Sequence, residues 1–128
     1  MKMETINPKA GVYTATKDYV HAMKVTDAAS MLFISGTMGL EETGIAPKTI
    51  DEQLSLVWSN IRCILADAEM STDNIIRTTS YLRYAKYCKK NEDARVAALG
   101  KHRIPTTTIV AKTLTPKWLI EIEVIAAA

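Results

Sequence analysis

Ile120-Glu-Ile-Glu-Val-Ile-Ala126 decides the architecture. Its period is two, so Ile120, Ile122, Val124 and Ala126 share one side of an extended chain, and Leu119, Glu121, Glu123 and Ile125 share the other. A strand with one wholly apolar side needs sheet neighbours beside it and a covering layer on that side. The turn at Thr115-Pro116-Lys117 places its start at Trp118.

Working outward, Thr106-Thr-Thr-Ile-Val-Ala-Lys112 is rich in strand formers, and Pro105 precedes it where a missing amide is tolerable. Ile75-Ile-Arg-Thr-Thr-Ser-Tyr-Leu82 and Met31-Leu-Phe-Ile-Ser-Gly36 also read as strands, the latter buried and ending at its glycine. Weaker strand candidates cover 11–16 and 19–25, with a turn at Asp27–Ser30. Two helices supply the cover. Thr49-x-x-Glu52 is a capping-box signature, and Ile50, Leu54, Val57, Ile61, Ile64, Leu65 and Ala68 then recur at spacings of three and four. A second helix is expected over 84–99, with Gly100 at its stop. Two helices on one face of a mixed sheet make an α+β domain of two layers spanning 1–128. The other sheet face is then left bare, and self-association is the economical way to cover it.

Composition narrows the function. Hydrophobic residues make up 48% and charged residues 23%, the balance of a folded chain. A net charge of +2, from 16 basic and 14 acidic residues, gives no dense basic patch for nucleic acid. No apolar run approaches the ~18 residues of a membrane span, and the N-terminal segment has no signal-peptide core. Cys63 and Cys88 lack metal-ligand spacing and read as buried or half-buried thiols of a reducing compartment, which sets a cytoplasmic expectation. No metal or cofactor is expected. Lys89-Lys90 reads as a solvated helix face.

Four segments carry a resemblance. Leu32-Phe-Ile-Ser-Gly-Thr37 resembles the L-F-V-S-G-Q segment of the Rid (YjgF-type) family. Trp58-Ser-Asn-Ile-Arg-Cys-Ile-Leu-Ala-Asp-Ala68 is similar to its L-x-N-I-x-x-I-L-x-x-A-G helix. Ile75–Leu82 is similar to its V-V-K-x-T-V-F-L strand, and Ile120–Ala126 to its I-E-I-E-A-I-A ending. The four stand in register along nearly the whole chain. The resemblance implies a chorismate-mutase-like fold, a homotrimer around a sheet-lined central barrel, and ligand clefts between subunits.

Active members of that family hydrolyse small imines and enamines such as 2-iminopropionate. Their arginine lies in a P-x-R segment and grips the substrate carboxylate through two parallel hydrogen bonds. Counting back from Ile120-Glu121 without gaps puts Thr106 at that position. The resemblance makes Glu121 the water-handling carboxylate and Thr108 the donor of a ligand-facing amide, and sets Asn91 in the cleft wall. It also assigns Tyr19, here preceded by Lys17-Asp18, and the Ser35-Gly36 pair, with Thr37 replacing the common glutamine. Thr106 and Thr107 offer hydroxyls to a ligand, though ordinary strand composition also accounts for them. Arg103 and Arg83 are the candidates to replace the guanidinium, and Trp118 shields a cleft mouth or packs at an interface. Glu123 is read as an interface or salt-bridge residue, His21 as a packed histidine before a base, and Cys88 as a nucleophile without an obvious base. The expected activity is hydrolysis or cyclisation of an imine, enamine or related metabolite, without the arginine-dependent reaction. A non-catalytic ligand-binding trimer and an endoribonuclease are the alternatives.

Overall fold

The computed structural model describes residues 1–128. Its elements are β1 (Lys2–Ile6), β2 (Ala22–Thr26), β3 (Met31–Met38), α1 (Ile50–Asp67), β4 (Ile75–Leu82), α2 (Cys88–Leu99), β5 (Thr106–Val110) and β6 (Ile120–Ala127). The main sheet has the order β3-β6-β4-β5. Strand β6 is antiparallel to both neighbours, while β4 and β5 are parallel, so the sheet is mixed as expected. Strands β1 and β2 form a separate antiparallel pair, Lys2 opposite Thr26 and Ile6 opposite Ala22.

The alternation in β6 becomes the core. Ile120, Ile122, Val124 and Ala126 are at most 1% exposed and join a 16-residue cluster with Leu54, Val57, Trp58, Ile61 and Leu65 of α1. Burying each large aliphatic side chain contributes about 1.5–3 kcal/mol. Helix α1 begins where Thr49, in extended conformation, accepts the Glu52 amide at 3.2 Å; the reciprocal half of the capping box is not made. It ends as Glu69 turns left-handed (φ 58°) and the Met70 amide reaches back to the Leu65 carbonyl at 2.8 Å. Gly39 runs so close to α1 that a Cβ would overlap the Gln53 backbone.

Several expectations are corrected. Residues 11–16 form no strand: Thr16 hydrogen-bonds Asp18 and the Tyr13 carbonyl is taken by His21 Nε2 (2.6 Å), local side-chain bonds that compete with a sheet ladder. The first strand is Lys2–Ile6 instead, and its partner starts only at Ala22. Cys63 and Cys88 are both exposed, because they lie on the outer faces of their helices. Helix α2 starts at Cys88, after a 3-10 turn at Ala85–Tyr87, and β5 stops at Val110. Strand β3 is not wholly buried, with Phe33 71% exposed, and it continues through its glycine to Met38.

It does so by a β-bulge. Ile34 pairs with Val124 and Thr37 with Ile122, so Ser35 and Gly36 together oppose Glu123. Thr37 therefore shares the helix side with Ile122, and Met38 shares the open side with Glu121. No helix lies on that open side, where Phe33 and Ile109 (46% exposed) are apolar and Arg77, Glu123 and Tyr81 are polar.

Candidate functional site

Glu121 lies in β6 between Met38 of β3 and Tyr81 of β4, half-buried on the open side. It makes no hydrogen bond or ion pair through its side chain. Its carboxylate lies over Gly36, where a Cβ would collide with it, so the bulge glycine is what makes room. Beside it Tyr81 donates a short hydrogen bond to Glu123. That bond, then desolvation and the charges of Glu123 and Glu121, push the Tyr81 hydroxyl pKa up. A hollow of about 240 Å³ opens here, lined by Tyr81, Lys112, Thr113, Leu114, Glu121 and Glu123. A free carboxylate beside a hollow, with its neighbouring carboxylate occupied by a phenol, is suited to take a proton from water.

Thr106 is elsewhere. It pairs with Thr78 on the helix side of the sheet, its hydroxyl 2.7 Å from that of Thr78 and donating to the Thr78 carbonyl at 3.2 Å. Thr108 shares that side opposite Ser80, whose hydroxyl is buried and unpartnered. Thr107 faces the open side and accepts from Arg77 at 2.9 Å. Glu121 is level with Tyr81, three residues along β4 from Thr78, or about 10 Å, and on the opposite face. A single chain therefore does not bring Thr106 and Glu121 together.

A third group surrounds Tyr19. Arg95 is 3% exposed and clamps Asp18, donating to its carbonyl at 2.8 Å and its carboxylate at 2.9 Å. Arg103 donates to the carbonyls of Lys17 (2.8 Å) and Gly100 (2.6 Å), and the Val20 amide reaches Ile104. Both guanidinium groups are thus spent on fixing the chain before Tyr19. Tyr19 packs edge-on against His21 with ring centroids 5.9 Å apart. Asn91, one helical turn before Arg95, is 1% exposed with its carbonyl oxygen unpartnered. Arg83 is likewise engaged, donating to the Thr113 carbonyl at 3.0 Å. Ser35 is exposed, its carbonyl accepts from Thr37 at 2.9 Å, and half-buried Trp118 accepts from Thr113 at 2.8 Å.

The sequence marks Lys17-Asp18 before Tyr19 but not the pairing of Asp18 with Arg95. That pairing has a pH consequence. Burial would raise the Asp18 carboxyl, but hydrogen bonds from Thr16 and Arg95 and the Arg95 charge outweigh it and hold the pKa below 3.8. A carboxyl depressed on folding contributes its stability in full above its unfolded pKa and loses it as pH falls through the folded value. Urea melts stepped from pH 7 to 2 are expected to show wild-type stability falling below about pH 4. The Asp18→Asn variant should be less stable at pH 7 and flatter in that acid window. Parallel curves for the two proteins would remove Asp18 as the source.

The mixed sheet with two helices on one side, a bulge glycine under a free carboxylate and an uncovered second face define an α+β domain of the Rid type. Residues 11–128 match the family model described as Endoribonuclease L-PSP. The chain is 31% identical over 110 residues to a RutC family protein of Pyrococcus horikoshii, covering 84% of this chain and 85% of that one. It is 29% identical over 110 residues to a RutC family protein of Pyrococcus abyssi, with 84% of each chain covered. Among solved structures, the Rid family protein YyfB of Yersinia pestis superposes with a TM-score of 0.85 at 20% identity, covering 100% of both chains. RidA of a Psychrobacter species gives 0.73 at 24% identity, over 98% of this chain and 99% of that one; these two likenesses are of fold. The chain belongs to the Rid (YjgF) family. No helix in it is long and apolar enough to cross a membrane.

Proposed function

We propose that this chain is a small-molecule hydrolase working at a cleft between subunits of a homotrimer, on a neutral imine, enamine or related metabolite. The observation that carries the reading is the free Glu121 carboxylate seated over Gly36 beside an open hollow. Glu121 takes a proton from water as its oxygen adds to the C=N carbon. That proton passes to nitrogen to complete the carbinolamine; the hydroxyl proton then moves through Glu121 to the amine, the C–N bond breaks as C=O forms, and ketone and ammonia leave.

Two features support the assembly. The open sheet face exposes Phe33 and Ile109, and a second chain laid there would cover them. Thr106 and Glu121 lie on opposite faces of one chain, so a cleft using both draws them from different copies. Tyr19, Asn91 and the Thr108 amide would line it beside Thr106, with Ser35, Gly36 and Trp118 on the Glu121 side; Thr37 faces the helix layer at the edge of the bulge.

The substrate is neutral because no guanidinium is free beside the cleft; Arg62 lies on the outer side of the helix layer. Thr106 occupies the arginine position, and Arg77, Arg83, Arg95 and Arg103 are all engaged with protein partners. Loss of a bidentate carboxylate contact costs about 2–3 kcal/mol, roughly 30- to 150-fold. Clearance of 2-iminopropionate is therefore expected to be negligible beside an arginine-bearing relative assayed in parallel. Equal rates would overturn the reading. Ribonuclease chemistry, which the family model's description suggests, is less well supported. The chain's two histidines, His21 and His102, sit on separate segments with Nε2 of each on a backbone carbonyl, and the net charge is only +2.

A further inference from the structure

A second, larger hollow lies away from Glu121. A groove of about 610 Å³ runs between α1 and α2 on the outer side of the helix layer. Trp58 and Leu54 form its floor, and the opposing wall is small: Ala94, Ala97 and Ala98. Larger side chains at those positions would fill the space beside Trp58; the alanines leave a slot next to an aromatic ring.

The charges along the groove are unevenly balanced. At one end Lys90 of α2 bridges to Asp51 of α1 at 3.0 Å, and Asp93 holds Lys89 at 3.0 Å. Arg62 stands eleven residues further along α1 from Asp51, about 16 Å away. It lines the groove with no ion-pair partner. The uncompensated charge is therefore positive and lies at one end. A second feature is independent of charge. Trp58 is 3% exposed, and its buried indole N–H has no acceptor in the protein. An unmade buried donor is costly.

We propose that this groove binds a small planar aromatic acid, its ring system against Trp58 and the alanine wall and its anionic group on Arg62. An aromatic body suits the slot because stacked or edge-on rings gain contact at little conformational cost. A single negative charge suits the one free guanidinium. A cation is disfavoured, since both groove carboxylates already hold lysines.

The test uses the intact protein, labelled with ¹⁵N, and 2-naphthoate as the probe. The chain has two tryptophans, so two indole N–H cross-peaks are expected, assigned with Trp118→Phe. Titration should move the Trp58 peak saturably and leave that of Trp118 in place. Arg62→Gln, or 2-naphthamide in place of the acid, should weaken binding about 5- to 10-fold. Ala97→Leu, at an exposed helical position where the fold tolerates leucine, should abolish it. No saturable shift up to about 5 mM, a weaker limit than any functional site of this size, overturns the proposal. So does an unchanged Kd in Ala97→Leu, or equal movement of both peaks.

Discussion

Replacing Gln53 with leucine is expected to lower the unfolding free energy by about 3–5 kcal/mol. Gln53 is on the buried face of α1 and wholly inaccessible. Its amide nitrogen donates to the carbonyls of Pro47 (2.7 Å) and Lys117 (2.8 Å), and its oxygen accepts the Leu119 amide at 2.9 Å. One side chain thus ties the loop before α1 and the turn before β6 to the helix between them. Leucine fits the volume but leaves three backbone groups without partners, each costing about 1–3 kcal/mol when it stays buried. The Lys117 residue is exposed, so its carbonyl recovers some hydration, which keeps the total below the full sum. At roughly 3–6 °C per kcal/mol for a domain of this size, the melting midpoint should fall by about 10–30 °C. Thermal scans at fixed protein concentration check this, because association would otherwise shift the midpoint. A fall of only a few degrees would show that the loop and the turn hold themselves.

Gln53 also shows where the sequence stops being readable. Its neighbours at Ile50, Leu54, Val57 and Ile61 announce themselves by spacing, and the structure buries all four. Gln53 is polar by type, yet it is as buried as they are. Two of its three partners are backbone groups 64 and 66 residues along the chain, and backbone groups leave no mark in the residue types. The same holds at the bulge. Ser35-Gly36 reads as a strand terminus because glycine usually is one. What keeps the glycine there is the Glu121 carboxylate across the sheet, a relation of register that no local pattern encodes. Strand β6 is the opposite case: its two faces follow from alternation alone, and the helix-facing one becomes the floor of the core. The clamp on Asp18 lies between these extremes. An acidic residue before Tyr19 was visible, but its partner Arg95 is 77 residues away in a helix whose polarity hid a buried arginine.

Changing Glu121 to glutamine is expected to lower kcat by about 10²- to 10⁴-fold on any imine the wild type hydrolyses, with KM little altered. Glutamine has the shape of glutamate but cannot take the proton from water. Because the Glu121 side chain makes no hydrogen bond or ion pair in the chain, the substitution removes no structural contact. Stability should stay within about 0.5 kcal/mol of wild type, as for surface changes that touch nothing. That separates a chemical role from a structural one, which would lower stability along with rate. Gly36→Ala supplies the complementary test. The Gly36 backbone does not require positive φ, so alanine is permitted there conformationally. Its methyl would meet the flexible end of Glu121 and swing the carboxylate aside. A fold-preserving loss of kcat of about tenfold or more is expected, since displacing a reacting group by an ångström costs up to about 10². Steady-state rates and denaturant melts on both variants decide the matter. If Glu121→Gln turns over as fast as wild type, the carboxylate is not the base. If only Gly36→Ala is slow, the bulge shapes the cleft without acting through Glu121.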